Sequence, residues 1–169
     1  VVLVVEVVGS WLTGSLALLA DAGHMLTDAA GITLAVLAVT FASRPATPER
    51  TFGYYRLEIL AAVANAVLLG VIAVFILWEA WQRWQDPPSV ESGLMLAFAV
   101  VGLVANVAGL LVLREGARES LNVKGAYLEV WADMVGSLGV LIAAVLIKAT
   151  GWQVVDPILA VLIGLWVLP

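Results

Sequence analysis

The sequence predicts an all-α membrane protein, a six-transmembrane-helix bundle whose first helix is truncated. Three observations carry this. Of the 169 residues, 63% are hydrophobic and only 12% charged, where a soluble domain holds about half apolar and a quarter charged residues. That much apolar surface exceeds what one soluble core of this length encloses, so lipid must cover the remainder. The apolar residues also fall in long runs, and in a bilayer only helices of about 20 residues or closed barrels satisfy their own backbone. Finally, the seven tryptophans suit aromatic belts at the membrane interfaces.

Cutting at polar clusters places the spans near 1–13, 15–43, 57–84, 92–116, 120–149 and 153–169. The first two are parted only by Thr13, Gly14 and Ser15, the one turn signal in an otherwise continuous run. The second and third are parted by ASRPATPERTFGYYR, with two prolines and three arginines. Pro87 and Pro88 break the chain before the fourth span, charge marks the link from 115 to 124, and Gly151 and Pro157 bracket the last link. Residues 1–20 contain no Lys or Arg, so the first run reads as a span and not as a signal peptide. Both ends lie inside apolar runs, which reads as a piece of a longer chain.

Composition also excludes functions. With no cysteine and one histidine, a disulfide framework, a thiolate metal site and a His-rich cluster are ruled out. Any metal site must lean on carboxylates. A formal net charge of −5 leaves no basic face for nucleic acid.

Ionisable residues inside the spans are the functional signal, because a charge at the bilayer centre costs from about 3 to more than 10 kcal/mol unless it faces a cavity or binds something. In LLADAGHMLTDAAG, His24 and Asp28 stand four apart; in YLEVWADMVGS, Glu129 and Asp133 do the same. Residues at i and i+4 share a helix face. Two such faces turned together would offer one imidazole and three carboxylates, a four-coordinate site for a divalent cation. One H-x-x-x-D pair alone is often a solvated or capping pair, but two pairs in nearly all-apolar spans resist that explanation. Three carboxylates around a divalent ion leave one net negative charge, whereas the empty set leaves three and favours proton uptake, so proton coupling is expected from charge.

The remaining polar residues carry less. Asp21 precedes His24 by three and is a candidate for lining an exit path, with a capping or hydrogen-bonding role as the alternative. Asp156 before Pro157 reads as a helix start, Glu58 with Arg56 as an interfacial ion pair, and Glu79 and Glu91 as interface residues. Interhelical hydrogen bonds or a water-filled path would account for Glu6, Asn65 and Asn106.

The runs GSLALLADAGHMLTDAAG, RTFGYYRLE, GAYLEVWADMVGS and VVDP, in this order among six spans, resemble the transmembrane domain of cation diffusion facilitator transporters. The resemblance covers essentially the whole chain. It implies a transporter that exports zinc, or another divalent cation such as cobalt or cadmium, from the cytoplasm in exchange for protons. It also implies a multi-pass protein of the bacterial plasma membrane, surrounded by the lipid bilayer and usually a homodimer, in which the metal is substrate and no cofactor is needed. The family's four ligand positions match His24, Asp28, Glu129 and Asp133. Zinc members commonly carry His where Glu129 stands, so this set is harder and leaves cobalt, cadmium, manganese and iron open. The family's cytoplasmic C-terminal domain is absent from this chain, and the fourth loop REGARESLNVKG contains no His. Two other classes stand beside transport by an antiporter: a proton-conducting protein with an acidic relay and no metal, and a membrane metalloenzyme. The enzyme is disfavoured, because no nucleophile–base pair and no Glu-x-x-His spacing accompany the four residues.

Topology follows from the eight basic residues. Arg44, Arg50, Arg56, Arg114, Arg118 and Lys124 belong to the second and fourth loops; Arg83 and Lys148 belong to the opposite face. Positive residues gather on the cytoplasmic side, which places both termini there and Trp78, Trp81 and Trp84 at the outer interface. A cysteine introduced at Ala46 is therefore expected to react with a membrane-impermeant reagent only from the cytoplasmic side, and one at Ser89 only from outside. Labelling of Ala46→Cys in intact cells would reverse the orientation.

Overall fold

The computed structural model describes residues 2–42 and 56–167. Helices α1 (Val2–Thr13), α2 (Leu16–Ala42), α3 (Arg56–Gln85), α4 (Ser92–Leu113), α5 (Gly116–Glu119), α6 (Leu121–Thr150) and α7 (Val155–Val167) follow one another without a strand among the described residues. Four of them, α2, α3, α4 and α6, are long and apolar enough to cross a bilayer; α1 and α7 are apolar but shorter. At 1.5 Å per residue the 12 residues of α1 reach about 18 Å, short of a hydrocarbon core of about 30 Å. The chain is an all-α membrane bundle. The fourth link, read from sequence as a charged connection, contains the short helix α5, ended at Ser120, where the backbone turns extended. The proline-rich link with Arg44 and Arg50, and the side chain of Glu58, lie outside the described residues.

The turn between α1 and α2 shows how little sequence is needed to reverse the chain. Gly14 takes φ 70°, a left-handed conformation that costs an L side chain roughly 1–2 kcal/mol. Its N–H still donates to Ser10 O at 2.9 Å and closes α1. Ser15 then acts as the N-cap of α2, its Oγ accepting from the N–H of Leu18 at 3.2 Å. The cap is completed from the far end of the sequence. Asp156, in the first turn of α7, accepts from Ser15 Oγ at 2.6 Å, Leu16 N at 2.7 Å and Ala17 N at 3.2 Å.

Arg83 at the end of α3 joins the same knot. It stands 3.7 Å from Asp156 Oδ2, pairs with Glu79 at 3.1 Å and donates to the carbonyl of Gly14. The link after α3 is sewn on by Glu91 N donating to Thr13 O at 3.0 Å and Val90 N to Gln153 Oε1 at 3.1 Å. Five helices thus meet at the end of the bundle that holds the α1–α2 turn. The buried apolar core, including Leu16, Leu18, Ile76, Met95, Val140, Ala144, Ile147 and Ala160, sits at this same end. Towards the other end α2 and α3 turn Val36, Val39, Leu60 and Val63 outward. Hydrogen bonds and ion pairs tie the bundle at the end that holds the α1–α2 turn. Trp78, Trp81 and Trp84 are all exposed beside the tied end, where interfacial rings belong.

Asp156 was expected to serve the start of its own helix, and it stands there, but its carboxylate is spent on α2. A buried, charge-assisted acceptor serving three donors predicts a measurable loss on truncation. Asp156→Ala is expected to destabilise the detergent-solubilised bundle by about 2–4 kcal/mol, since it uncaps α2 and removes one of the two carboxylates beside Arg83. Thermal unfolding checks this; an unchanged melting temperature would make the knot incidental.

Candidate metal site

Eight residues into α2, about 12 Å from its start at 1.5 Å per residue, His24 turns toward α6. Asp28 follows one turn on. The His24 Nδ1 to Asp28 Oδ2 distance is 3.4 Å, and His24 Nε2 lies 3.8 Å from Asp133 Oδ1 on α6. One ligand atom from each of His24, Asp28 and Asp133 fits within a mutual spacing of 4.8 Å. Adjacent ligands of a tetrahedral ion with bonds near 2.1 Å lie about 3.4 Å apart. The three side chains are therefore already gathered at roughly the spacing of a coordination shell.

Their atoms are also left without partners. His24 Nδ1, Asp28 Oδ2 and Asp133 Oδ1 are buried and make no hydrogen bond, although a buried polar group of this kind normally has one. Asp133 is 8% exposed. Three orphaned atoms converging from two helices form a donor set of one nitrogen and two carboxylates, chemistry that suits a divalent cation. One imidazole gives an ion only one of its nitrogens, so the ring, which here lies between the two carboxylates, must turn slightly as an ion enters. The second nitrogen is then free for an outer partner, as metal-bound imidazoles usually have.

Glu129 is placed differently. It sits one turn before Asp133 on α6, half-buried, and is close enough to His24 and Asp28 to interact through charge, but it stands outside the group of three. Asp21, one turn before His24, is 2% exposed. Its Oδ1 lies where a Cβ on Gly136 would be only 2.7 Å away, so α6 has room for this carboxyl because residue 136 is glycine. Asp21 and His24 both border a cavity of about 210 Å³ between α2, α6 and α7, whose other walls include Leu159, Leu162 and Trp166.

Sequence reasoning missed Ser137, Gly102 and Gly136, whereas Asn106 and Glu6 were expected as polar groups served by interhelical hydrogen bonds or a water-filled path. Ser137 and Asn106 bond to each other, Asn106 Nδ2 donating to Ser137 Oγ at 3.1 Å, and join α4 to α6 beside the site. Glu6 of α1 is 2% exposed and reaches the same region, its Oε1 3.2 Å from the Cβ position of Gly102. The signal for Glu6 and Asn106 was their polarity inside apolar spans; Gly102, Gly136 and Ser137 gave none, since small residues are common wherever membrane helices pack.

Known proteins share this chain over nearly its full length. The metal cation efflux system protein CzcD of Cupriavidus metallidurans is 54% identical over 167 residues, 99% of this chain and 53% of that protein. The zinc transporter ZitB of Escherichia coli is 53% identical, covering 98% of this chain and 53% of its own length. A protein of Bacillus subtilis named as a cadmium, cobalt and zinc/H(+)-K(+) antiporter is 42% identical over 98% of the chain and 54% of its own length. The chain spans about half the length of these curated relatives. The family model described as the cation efflux transmembrane domain matches residues 1–168. The all-α apolar bundle, the carboxylate-rich donor set between α2 and α6 and these matches agree, and the chain belongs to the cation diffusion facilitator family as its transmembrane domain.

Proposed function

We propose that this chain carries out the membrane step of a secondary transporter that exports a divalent metal cation, zinc first and cobalt or cadmium besides, in exchange for protons. The observation that carries the reading is the convergence of three orphaned polar atoms from His24, Asp28 and Asp133 in the interior of an apolar bundle. Such a set is costly in a membrane unless a cation or protons occupy it. The names of the relatives, a cation efflux protein, a zinc transporter and a cadmium, cobalt and zinc antiporter, support transport over catalysis and metal over a bare proton relay.

Glu129 is the fourth ligand in this reading. It shares the α6 face of Asp133 one turn away, and a modest turn of α6 would carry its carboxylate to the ion. The metal enters from the end of the bundle opposite the α1–α2 turn, read as cytoplasmic from its basic residues, and leaves past Asp21 through the neighbouring cavity. Alternating access then amounts to loosening the end tied by Asp156 and closing the other, with the site held between. Protons compete for the same imidazole and carboxylates on the outer side. The working unit in the plasma membrane is a homodimer with both ends of this chain in the cytoplasm.

Two outcomes test the assignment. Asp28→Ala and Asp133→Ala are each expected to lower zinc uptake into proteoliposomes by about 100-fold or more, beyond the roughly 10–100-fold that loss of a mere outer partner of a metal ligand costs, while the far-ultraviolet circular dichroism stays unchanged. Normal uptake by either variant would remove the site. Glu129→His replaces a hard ligand by imidazole and removes a negative charge, so preference should move toward zinc against manganese and the pH dependence of transport should weaken. A competition assay at two pH values reads both, and an unchanged metal order with an unchanged pH profile would take Glu129 out of the ligand set.

A further inference from the structure

The transport reading leaves one polar group of α3 unused. From Ile59 to Leu77 Asn65 is the only side chain that carries a nitrogen or an oxygen besides the backbone. It is half-buried, and its Oδ1 is buried and makes no hydrogen bond. Of the two roles its place in an apolar span suggests, an interhelical hydrogen bond and a water-filled path, the first is therefore not met at the carbonyl oxygen. A buried acceptor without a partner calls for an occupant.

The packing of α3 on α2 places that oxygen beside the route to the site. On α2, His24, Asp28 and Gly31 follow at i, i+4 and i+7 and share one face; on α3, Asn65, Leu69 and Ile72 repeat the spacing. The two faces meet. A Cβ on Gly23 would lie 2.9 Å from Ile72 Cγ2, and one on Gly31 would lie 2.9 Å from Asn65 Nδ2 and 3.4 Å from its Oδ1. Leu69 and Ile72 share a small cavity with His24. The Asn65 amide thus lies on α2 where residue 31 has no side chain, three residues or about 4.5 Å beyond Asp28 along the helix. Farther in the same direction, Leu34, Leu37, Ala61 and Ala64 border an apolar cavity of about 310 Å³ between α2 and α3. Arg56 begins α3 at that end. Asn65 therefore stands between the basic end of the α2–α3 cleft and the ligands. The threonines of α2 on this side donate to their own helix, Thr33 to Ala29 O and Thr40 to Val36 O, each at 2.7 Å.

We infer that the Asn65 carbonyl oxygen is a waypoint for the incoming divalent cation, replacing one water of the ion in the α2–α3 cleft before Asp28 takes the ion over. The inference rests on the transport reading. An amide carbonyl is a hard, neutral oxygen ligand for divalent cations. One neutral oxygen holds such an ion weakly, which is what a stage on a path requires: binding strong enough to admit the ion and weak enough to release it. Asp28, one turn on, offers a full negative charge, so transfer runs toward the site. One water leaves the ion as Oδ1 binds, and a carboxylate oxygen of Asp28 then displaces Oδ1.

The test uses the full chain with zinc as probe. Asn65→Leu removes the oxygen at similar volume, and Asn65→Asp keeps one. Radioactive zinc uptake into inside-out membrane vesicles, which present the cytoplasmic face, is measured well below half-saturation and at saturation. In Asn65→Leu the rate at low zinc is expected to fall about tenfold, while the saturated rate stays within about twofold and the equilibrium zinc affinity in detergent within about threefold. Asn65→Asp is expected to keep the rate at low zinc. Should leucine not fold beside Gly31, Asn65→Ala reads the same loss. An unchanged rate at low zinc in Asn65→Leu would overturn the proposal. So would an equal loss in Asn65→Asp, which would make the residue a packing element on Gly31, or an equilibrium affinity about tenfold weaker in a folded Asn65→Leu chain, which would place Asn65 among the ligands of the site itself. These results end the waypoint alone; absence of zinc binding by the unaltered chain would end the transport reading and the waypoint with it.

Discussion

The bundle depends on one carboxylate. Asp156 spends its oxygens on Ser15, Leu16 and Ala17, so the start of α7 is also the cap of α2. A helix N-terminus presents unsatisfied N–H groups and a partial positive charge, and a carboxylate answers both at once. Because the residue is fully buried, no water can replace it. The position of α2 along the bundle axis is thereby fixed, and with it the depth of His24 and Asp28. Arg83 extends the same anchor to α3 and the α1–α2 turn.

From that anchor the interior grades from apolar to polar. Leucine, isoleucine and alanine fill the tied end, and one to two turns further the packing admits Asp21 beside Gly136 of α6 and Glu6 beside Gly102 of α4. Small residues serve two purposes here. They let membrane helices approach closely, and they leave room for carboxyl groups that a larger neighbour would expel. The result is two adjoining polar sets, His24, Asp28 and Asp133 between α2 and α6, and Glu6, Asp21, Asn106 and Ser137 beside them.

The i,i+4 spacing of His24 with Asp28 and of Glu129 with Asp133 placed each pair on one helix face, and that was legible because spacing alone fixes it. How the two faces meet was not. Helix rotation brings Asp133 within 3.8 Å of the imidazole and leaves Glu129 outside the closest group, a difference set by packing against α4 and invisible in spacing. Asp156 shows the same limit. Its neighbour Pro157 made a helix start readable, but the N-terminus it caps lies 140 residues away, and no local pattern encodes such a partner.

By itself the sequence determined the all-α membrane class, the polar breaks between spans, the basic asymmetry and the residue types available for a metal, because hydrophobic run length and helical periodicity are local properties. Tertiary structure alone decided which carboxyls stand together. It gathered His24, Asp28 and Asp133, joined Asn106 to Ser137, and committed Asp156 to the end of α2. The reason is physical: in an apolar bundle the rotation and depth of each helix are chosen by packing and by the cost of leaving buried polar groups unmet, and both are sums over neighbours distant in sequence.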